Sequence, residues 1–226
     1  SQLLEQHQAL FDAILSGDAE LARQRSHQHL AYVEEGLLEL SKQRDIILTN
    51  SIDGNLLLTK AKQSESVAQL KDNQSPLLSI TPSFSEQSYY SDYTAILPVI
   101  IRQNPTSYTA KNRKLTNSLR VDNYMATDSF NGDEKTVAES RRARGLANSI
   151  SYTCQLSTLR DPKGKLYTVN SFIDIEAPTA MMYKNTKMFI RGVTMSLTPN
   201  ARTCSLELTL PEAYNGKEVE SLPWEE

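Results

Sequence analysis

Apolar positions in the first 44 residues recur every three or four places, whereas from Asp45 onward they alternate or run together. The chain therefore reads as a helical segment followed by a strand-rich one. In the helical segment, Leu3, Leu4, His7, Leu10, Phe11, Ile14 and Leu15 fall on one helix face. Ser16-Gly17-Asp18 then breaks the pattern: Gly17 suits a left-handed helix end, and Asp18 can cap a following helix. Leu21, Ala22, His29, Leu30, Val33, Leu37 and Leu40 carry a second helical pattern to about Lys42. Two helices joined by a tight turn make an antiparallel hairpin, which is too small to be stable alone and must pack on something.

Beyond Asp45 the periodicity changes to that of strands. Ile46-Ile47-Leu48 and Leu56-Leu57-Leu58 flank Asp53-Gly54, a strong hairpin turn signal. After a polar stretch, "SPLLSITPSFSEQSYYSDYTAILPVIIRQ" predicts two more strands, with Pro98 marking an edge or bulge. Residues 103–132, containing Asn104-Pro105 and Asn131-Gly132, read as a long polar loop. "DEKTVAESRRARGLANSI" predicts a helix near 133–148 with Asp133 as a cap. Strands are expected near 150–159, 166–169, 172–177, 186–198 and 202–210. Asp161-Pro162-Lys163-Gly164 turns the chain between the first two, and the tail is expected to be extended and acidic. The fold class expected is α+β: an antiparallel β-rich domain with one inserted helix, preceded by an N-terminal helical hairpin. The expected division is 1–44, a helical hairpin; 45–82, a β-hairpin with its connection; and 83–226, the β-rich domain.

Composition narrows the function more than it identifies it. The 226 residues are 23% charged and 39% apolar, the proportions of a folded soluble chain. A net charge of −3 with mixed signs gives no general drive toward nucleic acid or anionic lipid. No apolar run reaches the roughly 18 residues of a membrane span, and residues 1–5 lack the features of a secretory signal. The default location is the cytoplasm. Two cysteines, Cys154 and Cys204, are too few for a disulfide scaffold. They could pair if their strands are neighbours, but buried free thiols are the favoured reading.

No residue constellation supports catalysis. Phosphate loops, nucleophile elbows, metalloprotease histidine pairs and Cys-x-x-Cys are all missing from the sequence. All three histidines precede Asp45, so the strand-rich part has no imidazole to serve as a general base. Asp174 and Glu176 share a strand face but read as ordinary surface carboxylates rather than glycosidase acids. Arg102, Lys111, Arg113, Lys114 and Arg120, with Tyr108, read as a solvated loop more than as a nucleic-acid patch. On the predicted helix, Arg141 and Arg144 lie close together while Arg142 points about 100° away from Arg141. They could form ion pairs with Glu134 or Glu139, either between subunits or along the helix. Tyr89, Tyr90 and Tyr93 form an aromatic cluster expected on a strand, for core packing or an interface.

Two resemblances follow from these residues. "EQHQALFDAILSGDAELARQRSHQHLAYVEEGLLEL" resembles the last two helices of the FCD effector-binding domain of GntR-type transcription regulators, of the pyruvate-responsive kind. The resemblance implies a divalent metal held by His7 and His29 beside a small carboxylate effector. The family's other ligands, an aspartate and a histidine on earlier helices, and its winged-helix domain have no counterpart here, so no cofactor is expected to be tightly held.

The second resemblance spans about 45–220. "DGNLLLTKA", "SITPSFSEQSYYSDYTAIL", "AESRRARGLANSISYTCQLSTLRDPKGKLYTVNSFIDIEAP" and "IRGVTMSLTPNARTCSLELTLPEAY", in that order, resemble the baseplate hub protein of Mu-like contractile-tailed phages and prophages. That likeness implies barrel-like domains and a structural, non-enzymatic role. It also implies a homotrimeric ring that contacts other tail proteins, assembled in the bacterial cytoplasm and carried in the virion tail baseplate. Nucleic-acid binding and direct membrane insertion are not expected. Arg141, Arg142, Arg144, Tyr89, Tyr90 and Tyr93 become candidate interface residues. The family protein carries an N-terminal barrel and further sequence where this chain has residues 1–44, so a truncated, fused or chimeric chain is expected.

Overall fold

The computed structural model describes residues 2–43, 46–50, 55–61, 64–87, 89–97, 107–115, 120–126, 134–199, 201–215, 217–219 and 221–225. The chain divides into two units, Ser1–Ser41 and Lys42–Glu226. Asp53-Gly54, Pro98, Arg102, Asn104-Pro105, Asn131-Gly132 and Asp133 lie outside the described residues.

The first unit is the expected helical hairpin, α1 (Gln2–Leu15) and α2 (Ala19–Gln43). Gly17 takes φ +73°, a left-handed conformation that ends α1 without steric cost. The Asp18 Oδ1 then accepts the backbone N–H of Leu21 at 2.9 Å, capping α2. Both punctuation residues perform the roles their types predict.

The second unit is α+β. Strands β1 (Ile46–Asn50) and β2 (Leu56–Lys60) form the expected antiparallel hairpin, with Leu48 opposite Leu58. Next come β3 (Ser66–Lys71), β4 (Leu77–Phe84), β5 (Asp92–Ile96), β6 (Ser107–Lys111), β7 (Val121–Met125) and α3 (Glu134–Ser149). Four long strands complete the unit: β8 (Ile150–Leu156), β9 (Ser171–Ala177), β10 (Met182–Leu197) and β11 (Arg202–Thr209). The principal sheet has the order β3-β9-β10-β11-β8-β4, and a smaller one has the order β6-β5-β7.

The principal sheet curls into a barrel-like form, and chain geometry requires it. Six coplanar strands would set the outer two about 24 Å apart at ~4.8 Å per strand. The outer strands are β3 and β4, joined directly by residues 72–76, so Lys71 and Leu77 lie at most about 21 Å apart even if fully extended. The connection is in fact folded: Gln74 N donates to Lys71 O, and Leu77 N to Gln74 O. Asp72 at its start accepts both the hydroxyl and the backbone N–H of Thr179, from the 3-10 turn Pro178–Ala180. Inside the curl pack Leu70, Tyr152, Cys154, Leu156, Ile173, Ile175, Met188, Ile190, Leu206 and Leu208. Alternate residues of β8 (Ile150, Tyr152, Cys154 and Leu156) are buried, as period-two geometry demands.

Several sequence expectations change here. The polar stretch after the hairpin contains β3, and the expected 103–132 loop contains β6 and β7. All three strands are short; β6 and β7 largely face solvent, which erases the apolar alternation that marks a half-buried strand, and in β3 the alternation is confined to Ala68 and Leu70. The pairing is not wholly antiparallel, because β3 runs parallel to β9 and β5 parallel to β7. The strand expected at 166–169 is only an isolated bridge between Arg160 and Leu166, since the Asp161–Gly164 turn leaves no length for a ladder. That turn itself forms as expected, with Gly164 at φ +80° and its N–H on Asp161 O. The tail is packed rather than extended: Pro211–Tyr214 makes a 3-10 turn, Val219 and Leu222 are buried, and Trp224 meets Phe84 edge-on at 5.4 Å.

Helix α3 joins two cores. Val137 and Ala138 pack with Ala95, Leu97, Ala110 and Ala126 of the small sheet, while Leu146 enters the barrel core. Ser149 ends the helix and Ile150 begins β8 without an intervening loop.

Candidate assembly surface around helix α3

The arginines of α3 point to three different places. Arg141 Nε donates to Asp122 Oδ2 on β7 at 2.7 Å, and its guanidinium lies 4.0 Å above the Tyr124 ring. Its carboxylate partner is thus on another element, not Glu134 or Glu139 of its own helix. Arg144 donates to the carbonyl of Ile46 at 2.9 Å and lies 5.3 Å above the Tyr214 ring, reaching the start of the β1–β2 hairpin. Arg142 donates to Lys111 O at 3.2 Å and lines an open cleft of about 780 Å³ with Arg113, Lys114, Glu139, Lys217 and Glu218. Arg141 and Arg144 therefore cement the chain to itself, while Arg142 faces an open recess of mixed charge, in which Arg113 pairs with Glu218 and Lys114 with Glu225.

The tyrosine cluster exists, with a change of place. Only Tyr93 belongs to β5; Tyr89 and Tyr90 precede the strand. Tyr93 is buried, its hydroxyl accepts the Tyr90 N–H at 3.0 Å, and the two rings meet edge-on at 5.7 Å. Burial first, then the nearby Asp122 charge, pushes the Tyr93 phenol up to about 12, so it stays neutral at any physiological pH. Arg120 covers Tyr90 at 4.9 Å and donates to Glu86 O, pinning the segment before β5. Tyr89 reaches Asn112 Oδ1 at 3.5 Å. Sequence reasoning missed Asp122, Tyr124 and Lys114 as partners. The first two lie on β7, in a stretch read as loop.

In the first unit, His7 and His29 are brought together, Nε2 to Nε2, at 3.2 Å. His29 Nδ1 lies 3.3 Å from Gln6 Oε1, an acceptor that assigns the proton to Nδ1. His29 Nε2 then accepts from His7. Two metal–nitrogen bonds of about 2.0–2.1 Å at a tetrahedral angle span a similar separation, so the pair could supply two ligands. Among the described residues no group of three or more His, Cys, Asp or Glu converges on a metal position. Cys154 and Cys204 lie on neighbouring strands, with Cys154 opposite Leu206 and Cys204 opposite Leu156, and both are buried free thiols. No helix among the described residues is long and apolar enough to cross a membrane.

No family model matches this chain, and no curated protein does. Solved structures do share its fold. The 43 kDa tail protein of prophage MuSo2 from Shewanella oneidensis superposes with a TM-score of 0.65 at 20% identity, over 80% of this chain and 54% of that one. The tail protein from Neisseria meningitidis MC58 gives 0.66 at 13% identity, over 76% of this chain and 53% of that one. A chain of the virion of a native gene transfer agent particle gives 0.55 at 11% identity, over 83% and 40%. This chain spans about half the length of the two tail proteins. The likeness of residues 1–44 to an FCD domain finds no counterpart among these neighbours.

Proposed function

We propose that this chain is a structural component of a phage or prophage tail, specifically part of the baseplate hub of a Mu-like contractile tail. The observation that carries the reading is the shared fold with the Shewanella prophage tail protein over four-fifths of the chain. In this reading residues 45–226 act by assembly and catalyse nothing. The barrel-like sheet lines a homotrimeric ring, and the α3 region meets neighbouring subunits and other tail proteins. The chain assembles in the bacterial cytoplasm and ends in the virion baseplate.

Of the candidate interface residues, Arg142 is the one we assign to subunit contact, because it lines an open cleft with Glu139, Lys217 and Glu218. Arg141, Arg144 and the tyrosines support that surface from behind. Light scattering on the intact chain over a wide concentration range tests the reading. A trimer that weakens with Arg142→Glu supports it, and a monomer at all concentrations overturns it.

A second reading concerns residues 1–44 alone. The 3.2 Å approach of His7 and His29 supports a divalent-metal seat, as in an effector-binding domain fragment. Two imidazoles fill only half of a tetrahedral shell, so binding is expected to be weak. Zinc or nickel should raise the melting temperature of the helical unit, and His7→Ala should abolish the rise. An unchanged melting curve with metal removes this reading.

A further inference from the structure

The helical unit carries an apolar stripe that its own fold leaves uncovered. At 100° per residue, Leu3, Leu4, Phe11, Ile14 and Leu15 fall within one arc of about 120° on α1. They are 41%, 69%, 55%, 59% and 70% exposed. The face α1 turns toward α2 is centred elsewhere: Ala13 is buried there and Ala9 and Leu10 are half-buried, while His7, within the arc of the stripe, reaches sideways to His29 of α2. Ala13 is the sole buried residue among positions 3–38. Only Ala13 is fully buried by the hairpin itself, while five of the large apolar residues of α1 stay outward.

We propose that this stripe pairs with the same stripe of a second copy, so that two hairpins close into an antiparallel four-helix bundle. The area is of the right size. The exposed parts of the five side chains come to roughly 600 Å², against the ~800 Å² that each partner buries in a standard interface. The stripe is also self-complementary in shape and charge. Phe11 lies near its middle and Leu4 and Leu15 near its ends; no Asp, Glu, Lys or Arg falls within it, and its one polar member is His7. A two-fold axis across α1 sets Leu4 against Leu15 of the second copy, and Leu15 against Leu4, the isologous arrangement of homodimers. A lipid surface is a poorer occupant, since α1 has Glu5 and Asp12 but no Lys or Arg to meet anionic headgroups. The pairing is separate from any ring contact made by residues 45–226.

The test is the solution mass of the full chain and two double variants, measured by light scattering after size exclusion. Leu4→Glu with Leu15→Glu places like charges face to face and should halve the mass. Leu4→Glu with Leu15→Lys places opposite charges at the same contacts and should keep the parental mass. A step from six copies to three leaves the trimeric hub reading intact, and a step from two to one removes it; either supports the bundle. The bundle is overturned if all three proteins share one mass, or if the Glu/Lys variant falls with the Glu/Glu one.

Discussion

Lys114 Nζ lies 2.8 Å from both carboxylate oxygens of Glu225, linking the turn after β6 to the C-terminal segment 111 residues later. Glu225 also accepts the Leu222 backbone N–H at 2.9 Å, so one carboxylate fastens the last turn and clips it to the small sheet. The Lys114 contact, followed by the Leu222 hydrogen bond, holds the Glu225 carboxyl below its ordinary value of 4.5. A carboxyl lowered by folding contributes stability that is fully present above 4.5 and disappears as pH falls through its lower folded value. Glu225→Gln should therefore melt earlier than the parent at neutral pH, and the gap should narrow as pH falls below 4.5. Melting curves from pH 7 to 3 check this, and a gap that stays constant with pH would contradict it.

Arg141 and Asp122 are predicted to be energetically coupled. Their side chains are 34% and 18% exposed, between surface and core, and the Tyr124 ring covers the guanidinium. A double-mutant cycle of Arg141→Ala and Asp122→Ala in urea should give a coupling of about 1–2 kcal/mol, above the ~0.2–1 kcal/mol typical of exposed pairs. Independent effects of the two substitutions would show that the pair is incidental.

The cysteines should be silent until the barrel opens. Burial pushes the Cys154 thiol up to about 12 and raises Cys204 as well, so neither supplies thiolate at pH 8. A thiol reagent should label no cysteine in the native protein and both in denaturant. Cys154→Ser should cost about 1–3 kcal/mol by placing a hydroxyl in an apolar core. Rapid labelling of the folded chain would place these strands at the surface.

Leu70 should be the costliest residue of β3. It is 1% exposed and is the large side chain that this strand sends into the barrel core. Leu70→Ala is expected to lose about 2–5 kcal/mol, measured by chemical denaturation. A loss under ~1 kcal/mol would mean that β3 contributes little to closure.

What the sequence disclosed depended on whether a residue's role was local. Gly17, Asp18 and the Asp161–Gly164 turn act within a few positions, and their types alone announce them. The β1–β2 hairpin and α3 likewise follow from short-range patterning. β3 was illegible because its partner lies far along the chain, with Gln69 opposite Asp174, and β6 and β7 because they are short and largely polar. The candidate sites divide the same way. Helical spacing placed His7 and His29 each within an apolar helix pattern, and the FCD resemblance paired them. The partners of Arg141 and Arg144 could not be read, since Asp122 stands in an apparent loop and Ile46 contributes only a carbonyl. Trp224 was overlooked because a lone aromatic in an acidic tail carries no period.

The curled sheet also has a bearing on how the protein is made. Its opening strand, β3, takes its neighbour from β9, roughly a hundred residues further on, and β4 waits for β8. A ribosome must therefore deliver most of the polypeptide before the first strand finds its place, and long-range closures of this kind are slow. A chain cut short ahead of β9 would leave β3 as an unpaired edge, not as part of a smaller finished subunit. Unfinished products would then be recognisable to chaperones and proteases as unfolded, and would be removed before they could accumulate.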